Sequence, residues 1–125
     1  MRNDSEDREK LAIRRARRSI SCLPFKRAFY EKVDRSSMSA DELCGMENWK
    51  EYVFVPFGKE RAEEHFNWMI KLGILRREVD GQGLTSRIRL TPIGRQTLST
   101  IDGEIARAGI RENITETFRR HRGWL

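Results

Sequence analysis

Apolar residues recur along most of the chain at intervals of three and four, and they alternate with polar residues in one stretch; these are the signatures of helix and strand. Pro24 suits the first position of a helix, and Phe25, Ala28, Phe29 and Val33 follow at helical spacing, so residues 24–34 are predicted as the first core helix. Ser39-Ala40-Asp41-Glu42 reads as a capping box, in which the Ser39 hydroxyl accepts from the Glu42 amide and the Glu42 carboxylate reaches back to the Ser39 amide. A second helix starts there, carries Leu43, and is ended or interrupted at Gly45. Residues 46–57 fit two templates: Trp49 to Tyr52 suits a helical turn, whereas Tyr52 to Val55 has strand propensity, and Pro56 and Gly58 end either one. From Lys59 a longer helix places Ala62, Phe66, Met69, Ile70 and Gly73 on one face and Glu60, Glu64, Asn67 and Lys71 opposite.

Gly73 suits the left-handed position just past a helix, with Ile74 folding back on Met69. Two strand-like runs, residues 74–79 and 84–91, then flank Asp80-Gly81-Gln82-Gly83, whose glycines are expected to supply positive φ in a hairpin turn. In the second run Leu84, Ser86, Ile88 and Leu90 alternate with Thr85, Arg87 and Arg89, so one face is expected to cover the helices and the other to meet solvent. Thr91-Pro92 caps a further helix along which Ile93, Thr97 and Ile101 line up. After Asp102-Gly103 the tail is predicted as one or two helices, with Ile110, Ile114 and Phe118 four residues apart and Arg119-Arg120-His121-Arg122 near its end. There is no internal repeat.

The predicted class is therefore α+β, mainly helical: a three-helix core followed by a β-hairpin, the order of a winged helix, with extra N- and C-terminal helices. Three parts are expected. Residues 1–23 form a basic, partly helical N-terminal arm, residues 24–101 the winged-helix domain, and residues 102–125 a C-terminal helical extension able to dimerise.

Particular residues sharpen the order into a resemblance. Phe66-Asn67-Trp68-Met69-Ile70-Lys71-Leu72-Gly73-Ile74-Leu75-Arg76-Arg77, the glycines at 81 and 83, and Arg87-Ile88-Arg89-Leu90-Thr91-Pro92-Ile93-Gly94-Arg95 together resemble winged helix-turn-helix regulators of the MarR and PadR type. In that group the third helix ends in Leu-x-x-x-Gly-Leu/Ile-Leu/Ile, a wing follows, and the return strand runs into Leu-Thr-Pro-x-Gly. The resemblance is clear over residues 59–98, weak over 24–58 and absent at both ends. It implies a third helix in the DNA major groove and a wing on phosphates or in the minor groove. Carried over by position, the groove-facing residues are Glu60, Arg61, Glu64, Asn67, Trp68 and Lys71.

Charge modifies that picture. The 125 residues carry a formal charge of +6, unevenly placed: 11 Lys/Arg against 6 Asp/Glu over residues 1–37, 4 against 7 over 38–75, and 10 against 6 over 76–125. The sequence pI near 9.8 favours a polyanionic partner, because cations that neutralise phosphates release counterions. The third helix departs from this trend, setting Glu60, Glu63 and Glu64 against Lys59, Arg61 and Lys71, and carboxylates facing phosphates are repelled unless they accept from a cytosine amino group. The wing is more favourable, with Arg76, Arg77, Arg87 and Arg89 on one small hairpin against only Glu78 and Asp80; the same cluster also fits a solvated β-edge protected from aggregation. In the arm, Arg14, Arg15, Arg17 and Arg18 fit three readings: a solvated helical extension, a phosphate-contacting arm or a membrane-surface helix. Trp68 reads as core if covered and as an interface if exposed, and Glu64 is the acidic residue beside it on the outer face. Trp49, Tyr52, Phe54 and Phe57 read as packing, although base stacking uses the same residue types.

No motif points to catalysis, a cofactor or a metal. Cys22 and Cys44 have no CxxC spacing and read as reduced, partly buried thiols of a cytoplasmic protein, and His65 reads as a flank residue of the third helix. The N-terminus lacks a secretory apolar region, and no apolar run reaches the length of a membrane span. The expected function is a small DNA-binding regulator acting on double-stranded DNA, with a homodimer through residues 92–122. Two alternatives stand beside it: an interaction module docking a protein partner through the acidic third helix, and an RNA or single-strand binder.

Overall fold

The structure, a computed structural model, describes residues 4–106. Over these residues the chain is α+β and mainly helical, with five α-helices and one two-stranded antiparallel hairpin. In order these are α1 (Asp4–Cys22), α2 (Arg27–Arg35), α3 (Ala40–Gly45), a 3-10 turn (Trp49–Glu51), α4 (Lys59–Lys71), β1 (Leu75–Asp80), β2 (Gly83–Leu90) and α5 (Pro92–Ser99).

The core is built around Phe25. Its ring stacks on Phe29 at 4.3 Å between centroids and meets Phe66, Tyr30, Phe57 and His65 within 6.2 Å. Phe25 lies outside α2, which begins three residues later than the position of Pro24 predicts. The reason is tertiary. The Phe54 amide donates to the Pro24 carbonyl and the Lys26 amide to the Tyr52 carbonyl, both at 2.8 Å, so Phe25 and Val53 form an antiparallel bridge. That bridge answers the ambiguity over residues 46–57: they hold one 3-10 turn and one bridge, with neither an α-helix nor a full strand.

Buried polar groups need partners, and one core residue lacks them. The Tyr30 hydroxyl is fully buried with no hydrogen-bond partner among the described residues. Burial pushes its pKa well above the ordinary 10.0. The folded protein therefore holds Tyr30 neutral while the unfolded chain ionises, so this contribution to stability is intact below about pH 10 and declines as pH rises past it. Tyr30→Phe should stabilise the protein by roughly 1 kcal/mol at neutral pH. It should also flatten the fall in melting temperature between about pH 9 and 11; an unchanged alkaline profile would show that the phenol is not the cause.

Ser39 caps α3 as predicted, accepting from the Glu42 amide at 3.1 Å, but the return half of the capping box is missing because Arg87 engages the Glu42 carboxylate. The end of α4 follows the sequence closely. Gly73 adopts φ +80°, its amide donates to Ile70 O at 3.0 Å, and the Ile74 amide donates to Met69 O at 2.9 Å. This is the double hydrogen-bond pattern that ends helices at a left-handed residue.

The hairpin pairs Leu75 with Leu90 at its base and Asp80 with Gly83 at its tip, with an irregularity between Arg77 and Val79. Only Gly83, at φ +113°, supplies the positive φ expected of both turn glycines, while the Asp80 carboxylate accepts from the Gln82 amide at 2.7 Å. Nor does a whole face of β2 cover the helices. Ile88 and Leu90 are buried, whereas Leu84 and its partner Val79 are exposed because the tip extends beyond the core. An isolated antiparallel bridge lies beside β2, where Met38 exchanges both backbone hydrogen bonds with Ile88 at 2.8 and 3.1 Å.

Thr91 joins the hairpin base to α5: its amide donates to Ile74 O at 3.0 Å, and its hydroxyl accepts from the Gly94 amide at 3.0 Å while pointing at the Gly73 and Ile74 carbonyls. The buried face of α5 comprises Gly94, Thr97 and Leu98, with Ile93 only partly covered. That face packs against α1. Here the expectation of a solvated extension needs correction, since Ala16, Ser19 and Ile20 of α1 are buried in the common core. Residues 102–106 are not helical; Ile105 is buried and Glu104 accepts from the Arg27 amide at 3.2 Å. The rest of the predicted C-terminal extension, including Ile110, Ile114, Phe118 and the basic end, lies outside the described residues.

Candidate nucleic-acid interface

A wing that reads phosphates must offer unengaged cations, so the partners of each hairpin arginine decide the matter. Arg77, on β1, donates to Glu63 Oε2 at 2.9 Å and Asn67 Oδ1 at 3.0 Å on α4, and to Ser86 O at 3.0 Å on β2. Arg87, on β2, grips Glu42 of α3 through both terminal nitrogens, donates to Ser37 Oγ at 2.7 Å and reaches Ser37 O at 2.8 Å. Arg89 donates to the Asp34 and Arg35 carbonyls at 3.2 Å, closing the C-terminal end of α2, and pairs with Glu78 at 3.5 Å. The expectation of four projecting guanidinium groups is therefore corrected to one. Arg76 is exposed and makes no hydrogen bond among the described residues.

These three arginines fasten the hairpin to α4, α3 and α2 respectively. In the register Arg77 lies opposite buried Ile88 and Arg89 lies opposite Arg76, so the two arginines leave the hairpin on different faces and reach different helices. Glu78 completes the set. A hydrogen bond from Ser37, then the charges of Arg89 and Arg76, hold its carboxyl below the ordinary range. Asp34 is lowered likewise, first by its hydrogen bond with Arg95, whose nitrogens lie 2.7 and 3.1 Å from Oδ1. Both carboxylates stabilise the fold above their unfolded pKa, and that contribution is lost as pH falls through the folded values.

On α4 the predicted groove residues are mostly committed too. Arg61 pairs with Glu64 at 3.3 Å and Asn67 accepts from Arg77, while Lys59, which is not among the predicted groove residues, pairs with Asp41 at 3.1 Å. Lys71 is exposed at the C-terminal end, with no ion pair among the described residues. Trp68 is partly buried against the core, and its buried Nε1 has no acceptor among the described residues. His65 is a correction: it is buried, edge-on to Phe25 and Phe57.

On α1, Arg14, Arg15, Arg17 and Arg18 are all exposed, and none has an acidic partner among the described residues. Cys44 proves exposed, its thiol 3.5 Å from Phe57 O, and Cys22 is half-buried. Among the described residues no three His, Cys, Asp or Glu side chains group as metal ligands, and no helix is long and apolar enough to cross a membrane.

Residues 6–120 match a family described as Npun_F0494-like. The chain belongs to the Npun_F0494-like family. No curated protein and no solved structure matches it. The Npun_F0494-like match begins inside α1 and continues past α5, so it covers most of α1 and all of the other described elements.

Two clamps of this Npun_F0494-like protein escaped the sequence reading. Arg27 binds the end of α5, donating to Ile101 O at 2.6 Å, Gly103 O at 2.9 Å and Leu98 O at 3.1 Å, and Glu42 is the carboxylate that holds Arg87. Both link residues at least 45 positions apart, and nothing local announces them. The Arg77 clamp was more accessible, because a hairpin that folds back on the preceding helix brings its first strand beside that helix.

Proposed function

We propose that this protein is a non-enzymatic winged-helix module that binds duplex DNA. The observation that carries the reading is the Met38–Ile88 pairing. It places a bridge residue between α2 and α3, and the resulting order of helix, bridge, helix, helix and hairpin supports a winged-helix reading. The resemblance at Gly73 and at Leu90-Thr91-Pro92-Ile93-Gly94 acquires a physical content that supports the same fold, since the first ends α4 and the second ties and caps the hairpin base.

Fluorescence anisotropy with a labelled duplex tests the function. At low salt, binding should be measurable in the range of non-specific protein–DNA affinities, with Kd of about 10⁻⁴–10⁻⁶ M or tighter, and should weaken steeply as salt rises. No binding at low salt would reject the reading. Because Arg77, Arg87 and Arg89 are engaged within the protein, substituting any of them with Ala should lower stability by about 1–2 kcal/mol and leave the salt slope nearly unchanged. Arg76→Ala should do the opposite, lowering the slope by about one unit with little effect on stability.

One observation favours a second reading, docking to a protein partner. The outer face of α4 carries no net positive charge, and Asn67, its best candidate for an adenine contact, is held by Arg77. Capture of a stable partner after nuclease treatment, abolished by Glu64→Lys or Trp68→Ala, would favour this alternative.

A further inference from the structure

Arg14, Arg15, Arg17 and Arg18 of α1 contrast with three of the four hairpin arginines in burial and in partners. Three hairpin arginines are consumed by internal hydrogen bonds, whereas Arg14, Arg15, Arg17 and Arg18 of α1 are exposed without an acidic partner among the described residues. The helix carries this crowding at a cost. Arg14 and Arg18 are four residues apart, Arg14 and Arg17 three, and Arg15 and Arg18 three; such like-charge neighbours destabilise an isolated helix by a few tenths of a kcal/mol each. None lies in the last turn, where the helix dipole would favour a cation, and the acidic residues of the first turn are Asp4, Glu6 and Asp7.

At about 3.6 residues per turn, Arg14 and Arg18 stand opposite buried Ala16, with Arg15 and Arg17 on the two flanks. Ala16, Ser19 and Ile20 fix the inner face against the core, so the helix that carries the outward row is anchored before any ligand arrives. Arg14 and Arg18 are roughly 6 Å apart along the axis. Duplex DNA presents roughly one phosphate per 1.7 Å of its length, enough to offer each guanidinium a partner. A membrane surface suits this helix less well, because interfacial helices bury an apolar face in the bilayer, and the apolar face of α1 is occupied by the protein core.

We propose that the outward arginine row of α1 is the main phosphate-contacting surface toward duplex DNA, ahead of the hairpin. The inference rests on the DNA-binding reading above. In the full chain, Arg14, Arg15, Arg17 and Arg18 are changed together to Ala and, separately, together to Lys. Duplex binding is then followed by anisotropy between about 50 and 200 mM salt. The Ala variant should lose roughly two to four units of salt slope and bind at least about tenfold more weakly at the lowest salt. The Lys variant should keep the slope, and both should melt near wild type because all four positions are exposed. Single Arg14→Ala and Arg18→Ala variants, each expected to lose about one unit of slope, serve if the fourfold variant folds poorly.

A wild-type slope in the Ala variant overturns the inference while leaving DNA binding intact. Absence of duplex binding by the wild-type protein defeats both together. Tight binding to vesicles of equal parts phosphatidylserine and phosphatidylcholine, weaker duplex binding, and loss of the vesicle binding in the Ala variant would assign the row to membranes and overturn it as well.

Discussion

Phe25→Ala should remove about 3–5 kcal/mol of stability, the range for deleting a fully buried aromatic ring. Phe25 is 0 % exposed and contacts five other rings, so truncation opens a cavity that Phe29 and Phe66, themselves stacked at 5.9 Å, cannot collapse to fill. Its backbone forms the bridge to Val53, so the loss should extend to residues 46–57. Urea denaturation followed by far-UV circular dichroism gives the magnitude, and amide exchange at Phe54 and Lys26 reports the bridge. A loss below about 1.5 kcal/mol would remove Phe25 from the centre of the core, and Leu84→Ala on the exposed hairpin tip is the neutral comparison.

Gly94→Ala should also be damaging, for a different reason. A Cβ at this position would stand 2.5 Å from the Ile74 carbonyl oxygen and 2.6 Å from Leu90 Cδ1. The side chain of Leu90 can turn aside only into a packed core, and Ile74 O cannot move freely because it accepts from the Thr91 amide. Relief requires separating α5 from the hairpin base, at a cost of about 1–3 kcal/mol. Gly81→Ala meets nothing within 4 Å and should change stability by less than about 0.5 kcal/mol, so the two melting curves together test the close approach. If they coincided, close packing would not be what position 94 requires.

The glycine at position 94 illustrates how sequence and structure divide the explanation. The Leu-Thr-Pro-x-Gly pattern marks the place without stating the mechanism; the structure supplies Thr91 as cap and tie, and Gly94 as the point where α5 meets Ile74. The arginines illustrate it from the other side. Seen along the chain, the four on the hairpin and the four between positions 14 and 18 of α1 are equivalent clusters. In space three of the first group are consumed by Glu63, Glu42 and the end of α2, while the second group faces outward.

What the sequence determined by itself is the local part: the Ser39 and Thr91 caps, the Gly73 helix end, the hairpin after it, and the α+β, mainly helical class. Each depends on hydrogen bonds or dihedral preferences within a few residues, and those act before the fold closes. Only the tertiary structure decided where α2 begins, whether α1 is arm or core, and which cations remain available. Those outcomes depend on groups brought together from distant positions, such as Pro24 with Phe54, Ala16 with the common core, and Arg87 with Glu42. A residue's charge belongs to its sequence, but its freedom to meet a ligand depends on the neighbours that folding gives it.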